Sequence, residues 1–139
     1  HPNVVFRRVH TPLAPDWVSM TKAFYALDAM GELDRLHPKI FEAMHQRMLA
    51  LDNPDVLFEW IGTQGIDKEK FKSVFDSFAV QTKVKQAEKL SASFRLTGVP
   101  AVVVDRKYVT SMKLAGDDIL VVLDQLVTKA TADRAKAKK

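Results

Sequence analysis

The sequence contains no cysteine. A thiol oxidoreductase works through a thiolate of lowered pKa, so these 139 residues cannot perform dithiol chemistry by themselves. No apolar run approaches the roughly 20 residues that a membrane-spanning helix needs. Glycine is scarce, at 5 residues. No glycine-rich phosphate loop, no G-x-S-x-G and no H-E-x-x-H occurs. An initiator methionine is absent, and the start reads as no signal peptide, because His1-Pro2-Asn3 is polar and leads into a strand-like run. The expectation from that start is a processed product or a piece of a longer chain. A block of one charge is nearly absent too. The net charge is +4 and the pI about 9.4, but acids are interspersed with the basic residues almost everywhere. The exception is the tail, where Lys129, Arg134, Lys136, Lys138 and Lys139 meet only Asp133. With no aromatic residue there to stack on bases, the tail reads as a helix end whose cations complement the macrodipole. No nucleic-acid partner is expected.

What is present belongs to an ordinary folded chain. An apolar fraction of 47% and a charged fraction of 27% suit one domain, or one domain with an inserted subdomain. Residues 4–10 (Val-Val-Phe-Arg-Arg-Val-His) are β-branched and aromatic enough for a strand, ended by Pro12 and Pro15. Asp16 is placed to cap a helix with Trp17, Met20, Phe24 and Leu27 on one face, stopped by Gly31. A break at His37-Pro38 puts Pro38 at a first helical position, and Ile40, Phe41, Met44, Met48 and Leu51 continue a second face. Asn53-Pro54 and Asp67 are two further cap signals, the first before Val56, Leu57, Trp60 and Ile61, the second before Phe71, Val74, Phe75 and Phe78.

A longer helix is expected over residues 79–96, with Val80, Val84, Ala87, Leu90 and Phe94 inward and Gly98 as its C-cap. Residues 101–104 and 107–111 then read as two strands around a turn at Asp105-Arg106. A two-residue turn of the favoured hairpin type wants Gly where Arg106 stands, so a longer or bulged turn is expected. Gly116-Asp117 opens a last helix, with Leu120, Leu123, Leu126, Val127 and Ala130 inward.

Candidate chemistry is sparse. Pro100 opens an apolar strand and has no N–H. The backbone of the preceding residue, Val99, is then left to receive an extended peptide. His10 closes the first strand and could tune a nearby thiolate if one were supplied; the plainer reading, a half-exposed strand-end histidine, is the one favoured. His37 and His45 are eight apart, but no third ligand stands at a metal spacing and there is no cysteine, so no metal site is expected. Asp28, Glu32 and Asp34 read as a solvated acidic face. The aromatic residues, Phe41 included, fall at helical spacing and read as core. Met20, Met30, Met44 and Met48 read as packing residues, with an apolar peptide groove as the alternative.

The run Phe94-Arg95-Leu96-Thr97-Gly98-Val99-Pro100-Ala101, followed by Lys107-Tyr108, resembles the cis-proline loop of the thioredoxin superfamily. More closely it is similar to the DsbA family of bacterial disulfide oxidoreductases, which carries a V-P pair before a strand and then a hairpin ending in Lys-Tyr. The likeness covers residues 4–129, the helical part in pattern only. It implies an α/β, thioredoxin-like fold with an inserted helical subdomain. Residues 1–13 and 97–139 would form an incomplete thioredoxin-like part, and residues 14–96 the insertion with its long connecting helix. The family's N-terminal strand and the redox helix opened by C-x-x-C have no counterpart here.

The resemblance further implies a cis Val99-Pro100 bond, although only about 5% of X-Pro bonds in folded proteins are cis. It implies Gly98, Val99 and Pro100 as the substrate-binding loop, with no catalytic residue in this chain. The parent protein would be a periplasmic thiol:disulfide interchange protein that oxidises cysteine-containing exported polypeptides. It would need no cofactor and would be reoxidised by a membrane oxidase. Two alternatives stand beside it: a Cys-free peptide-binding module of the same fold, and a glutathione-dependent isomerase or transferase relative. Apolar strands without neighbours would also make the chain self-associate.

Overall fold

Helices carry most of this chain, and each starts where local chemistry allows it. The computed structural model describes residues 1–138, which divide into two compact units, Val9–Ala92 and His1–Arg8 with residues 93–138. The first unit holds α1 (Val18–Ala29), α2 (Leu33–His45), α3 (Pro54–Thr63), α4 (Lys68–Phe75) and α5 (Phe78–Ser93). The second holds β1 (Ala101–Val104), β2 (Tyr108–Ser111), α6 (Met112–Ala115) and α7 (Ile119–Ala137).

In the Val9–Ala92 unit, Asn53 and Asp67 cap as expected. Asn53 Oδ1 accepts the Asp55 N–H at 2.9 Å, and Asp67 Oδ1 accepts the Lys70 N–H at 2.8 Å. A third cap went unread: Ser77 Oγ accepts the Val80 N–H at 3.2 Å and opens α5. Gly31, past the end of α1, takes φ +70, the left-handed conformation that only glycine adopts cheaply. The core is built from Leu27, Leu36, Leu51, Leu57, Ile61 and Phe71, all fully buried. Each such side chain contributes about 1.5–3 kcal/mol by burial. Phe58, Phe71 and Phe75 meet edge-on or tilted, with ring centroids 5.2–6.0 Å apart.

Several expectations fail here. Pro38 does not open a helix; α2 runs through it. Pro38 removes only the bond that its own N–H would give to the Asp34 carbonyl. The buried stripe of Leu36, Ile40 and Ala43 holds the remaining turns against the core. Asp16 does not cap α1 either: it lies on a short 3-10 turn, Pro15–Trp17, and no side chain caps the α1 N-terminus. Helix α5 ends at Ser93, and Arg95 rather than Gly98 takes the left-handed conformation, at φ +51. On α5, Val80, Val84 and Ala87 are buried as expected, but Leu90 is exposed and Ser91 takes the inward place.

The expected strand over residues 4–10, most of which belong to the other unit, is not formed. A β-branched run becomes a strand only where a neighbour satisfies its N–H and C=O groups. Among the described residues the sheet has just the two strands β1 and β2, and Val5 and Phe6 are exposed. The hairpin pairs antiparallel from Ala101 with Ser111 to Val104 with Tyr108. Three residues therefore make the turn, longer than two, as anticipated. Asp105 and Arg106 both take positive φ, +53 and +56, and the Lys107 N–H closes the turn onto the Val104 carbonyl at 3.0 Å.

Two contacts fasten that hairpin to α7. The Tyr108 hydroxyl donates to Asp133 Oδ2 at 2.5 Å, and Arg134 pairs with Asp105. Arg134 holds the Asp105 carboxyl below the usual carboxylate range. The hydroxyl of Tyr108 does the same for Asp133. Of the residues expected inward on α7, only Ala130 is buried, and Leu120 points outward.

Candidate functional site

Gly98, Val99 and Pro100 lie together at the head of β1, exposed. The Val99-Pro100 bond is cis. The β-ladder begins one residue later, at Ala101. Among the described residues no backbone hydrogen bond reaches Val99. β1 has a partner along one edge only, so the chain just before it offers an N–H and a C=O that an extended segment can use. Gly98 has no steric reason to be glycine: its φ is not positive, and a Cβ there would meet nothing within 4 Å.

His10 belongs to the other unit and sits in a built hydrogen-bond chain. The Thr21 hydroxyl donates its one hydrogen to the Trp17 carbonyl at 3.0 Å. Its oxygen must then accept from His10 Nδ1–H, 2.9 Å away. That assigns the tautomer and leaves the lone pair on Nε2. Tyr25 donates its hydroxyl to the His10 carbonyl at 2.9 Å. Burial, and after it the nearby His37, hold the His10 imidazole below its ordinary pKa. It is therefore the neutral form that this packing favours.

His10 also lines a cavity of about 360 Å³ with Trp17, Met20, Phe24, His37, Phe41, Met44, His45 and two acidic residues, Asp16 and Asp52. Rings line up along it. Phe24 to His37 is 6.1 Å between centroids, His37 to Phe41 5.0 Å, and Phe41 to His45 5.8 Å. This row was missed by reading Phe41 as core; it is 53% exposed. The signal was in the sequence, as positions 37, 41 and 45 fall one turn apart. It was hidden by the assumption that Pro38 starts the helix. Met20 and Met44 do line this cavity, while Met30 packs on the core and Met48 is exposed. Among the described residues no three His, Asp or Glu side chains converge into a metal-holding group.

A model of the DSBA-like thioredoxin domain matches residues 2–127. This chain belongs to the DSBA-like thioredoxin family. Within that family, the thiol:disulfide interchange protein DsbA of Bordetella parapertussis is 38% identical over 131 residues, which is 92% of this chain and 62% of that protein. The DsbA of Pseudomonas aeruginosa is 34% identical over 139 residues, 99% of this chain and 64% of that protein. The chain thus spans less than two thirds of the length of these curated relatives. The crystal structure of Pseudomonas aeruginosa DsbA matches with a TM-score of 0.87 at 34% identity, covering 99% of this chain and 71% of that one. The DsbA-type, thioredoxin-like fold implied by the Val99-Pro100 stretch is therefore the fold present, mostly helical with one small sheet. This DsbA-family chain has no cysteine.

Proposed function

We propose that this chain serves a periplasmic thiol:disulfide interchange protein that oxidises cysteines of exported polypeptides, and that its part is to hold the substrate. The observation that carries this reading is the family match over residues 2–127. The redox thiols come from outside these 139 residues, because none lies within them. Gly98, Val99 and Pro100 receive the substrate as an extended segment through the backbone of Val99. His10 borders the thiol site and keeps its neutral imidazole there. A membrane oxidase restores the disulfide after each turnover. The unit Val9–Ala92 is the inserted helical part, and the unit with the hairpin is the thioredoxin-like part.

The zero cysteine count favours one second reading, a peptide-binding module of the same fold that works without redox chemistry. The exposed side chains of Val5, Phe6, Leu114 and Leu120 make self-association of the isolated chain part of both readings.

Two measurements test this. The chain alone should not oxidise a reduced dithiol peptide above a protein-free control; turnover with contaminating thiol excluded would end the proposal that the thiols lie elsewhere. An extended peptide should shift the amide resonances of Val99 and Ala101, and N-methylation of its pairing residue should abolish the shift. A peptide that shifts other regions only, or that ignores the N-methyl group, would remove Val99 as the docking point.

A further inference from the structure

We infer that the cavity of the Val9–Ala92 unit is a binding site for a small organic cation with an aromatic body. Its volume, about 360 Å³, falls at the small end of ligand sites. Its walls are apolar and aromatic, and two of the aromatic side chains, Trp17 and Phe41, are left 39% and 53% exposed. Large exposed rings beside a concavity are unfavourable unless something covers them.

Besides the Trp17 indole and the His37 and His45 imidazoles, the polar groups of the lining are acceptors. Asp16 and Asp52 are acceptors, and the Thr21 chain makes His10 Nε2 an acceptor as well. No lysine or arginine lines the cavity, although the chain has 21 of them and a net charge of +4. An anion would meet two carboxylates and no lysine or arginine. A neutral hydrocarbon would fill the walls but give nothing to the acceptors. A protonated amine on an aromatic body does both: its ring packs along the row from Phe24 to His45, and its N–H groups donate to the carboxylates or to His10. The cation is further attracted by the ring faces. The site shares His10 with the thiol chemistry proposed above, but its test reads amine binding and involves no thiol.

The test is titration of the 139-residue chain with phenethylamine, 2-phenylethanol and phenylacetate at low ionic strength, at about pH 8, where the amine is protonated and the acid ionised. Calorimetry gives affinity, and the His10, His37 and Phe41 ring resonances give location. Phenethylamine should bind at least about fivefold more tightly than 2-phenylethanol, with phenylacetate weaker than both. In the Asp16→Asn/Asp52→Asn variant the amine and the alcohol should bind within about twofold of each other. Phe41→Ala should weaken both by at least about threefold. Should the double variant fail to fold, Asp52→Asn alone, outside every helix, should lose part of the amine preference. Phenylacetate binding as tightly as phenethylamine would overturn the inference. So would shifts confined to other residues, or no saturable binding of phenethylamine up to about 50 mM.

Discussion

The two units of this chain solve the same problem differently. The Val9–Ala92 unit closes five helices around a shared core in which Leu27, Leu36, Leu51, Leu57, Ile61 and Phe71 see no solvent. The other unit, a hairpin and α7, buries among its described residues only Thr110 and Ala130, and leaves Val5, Phe6, Leu114, Leu120 and Val121 exposed. Its hairpin is fastened instead by polar contacts, Tyr108 to Asp133 and Arg134 to Asp105. Apolar burial is cooperative and insensitive to salt. Surface polar contacts are weak and screened. The difference teaches where stability resides and where partners are needed.

The comparison can be broken most directly by truncation. Phe71→Ala should cost about 3–5 kcal/mol in urea unfolding, whereas Leu120→Ala on α7 should stay within about 0.5 kcal/mol. Comparable losses would mean that α7 is buried in solution in a way its exposure denies. The next effect concerns association. Leu114→Lys with Leu120→Lys should lower the apparent mass in sedimentation over a concentration series. Phe78→Lys, equally exposed but in the closed unit, should not.

Helix starts give a smaller contrast. Asn53→Ala or Asp67→Ala should each remove about 1 kcal/mol. Asp118→Ala should cost clearly less, because the Asp118 side chain makes no capping bond on α7.

A pH effect follows from His10. Its folded pKa lies below the unfolded value, so the unfolded chain takes up a proton that the folded one refuses. Stability contributed this way is complete above about pH 6.5 and falls as pH drops from there towards the folded pKa. His10→Gln should flatten that slope in melts between pH 7 and 5; an unchanged slope would show that other groups cause it. The smallest effect expected is that of Arg134→Ala, which frees Asp105 at the surface. It should be visible as increased amide exchange in residues 104–107 rather than as a shift in the melting midpoint.

Local chemistry was legible and tertiary dependence was not. Asn53 and Asp67 cap within two or three residues of themselves, so their sequence neighbourhood sufficed. The Asp105-Arg106 turn was read as longer than two residues because backbone sterics alone decide it. Residues 4–10 have strand composition but no strand, since pairing depends on a partner that the local sequence does not contain. Pro38 was read as a start because its missing N–H is cheapest there; the buried face of α2 outweighed that preference. The row of His37, Phe41 and His45 then vanished from view, and with it the cavity. The Val99-Pro100 stretch was the opposite case, where a short run of residues led to the family whose model matches residues 2–127.

One pair of buried hydroxyls has a wider meaning. Ser91 donates to Thr11 at 2.8 Å, and Thr11 donates to the Ala87 carbonyl at 3.5 Å. Residues 80 positions apart, one where the chain comes into the helical unit and one where it leaves, are hydrogen-bonded to each other. A unit whose two ends touch can be spliced into a host protein at a single point without stretching it. The latch makes the helical unit a self-contained cassette: it could be cut out and its ends rejoined by a short linker, or its helices exchanged or lengthened on the far side, while the two points of attachment stay where they are.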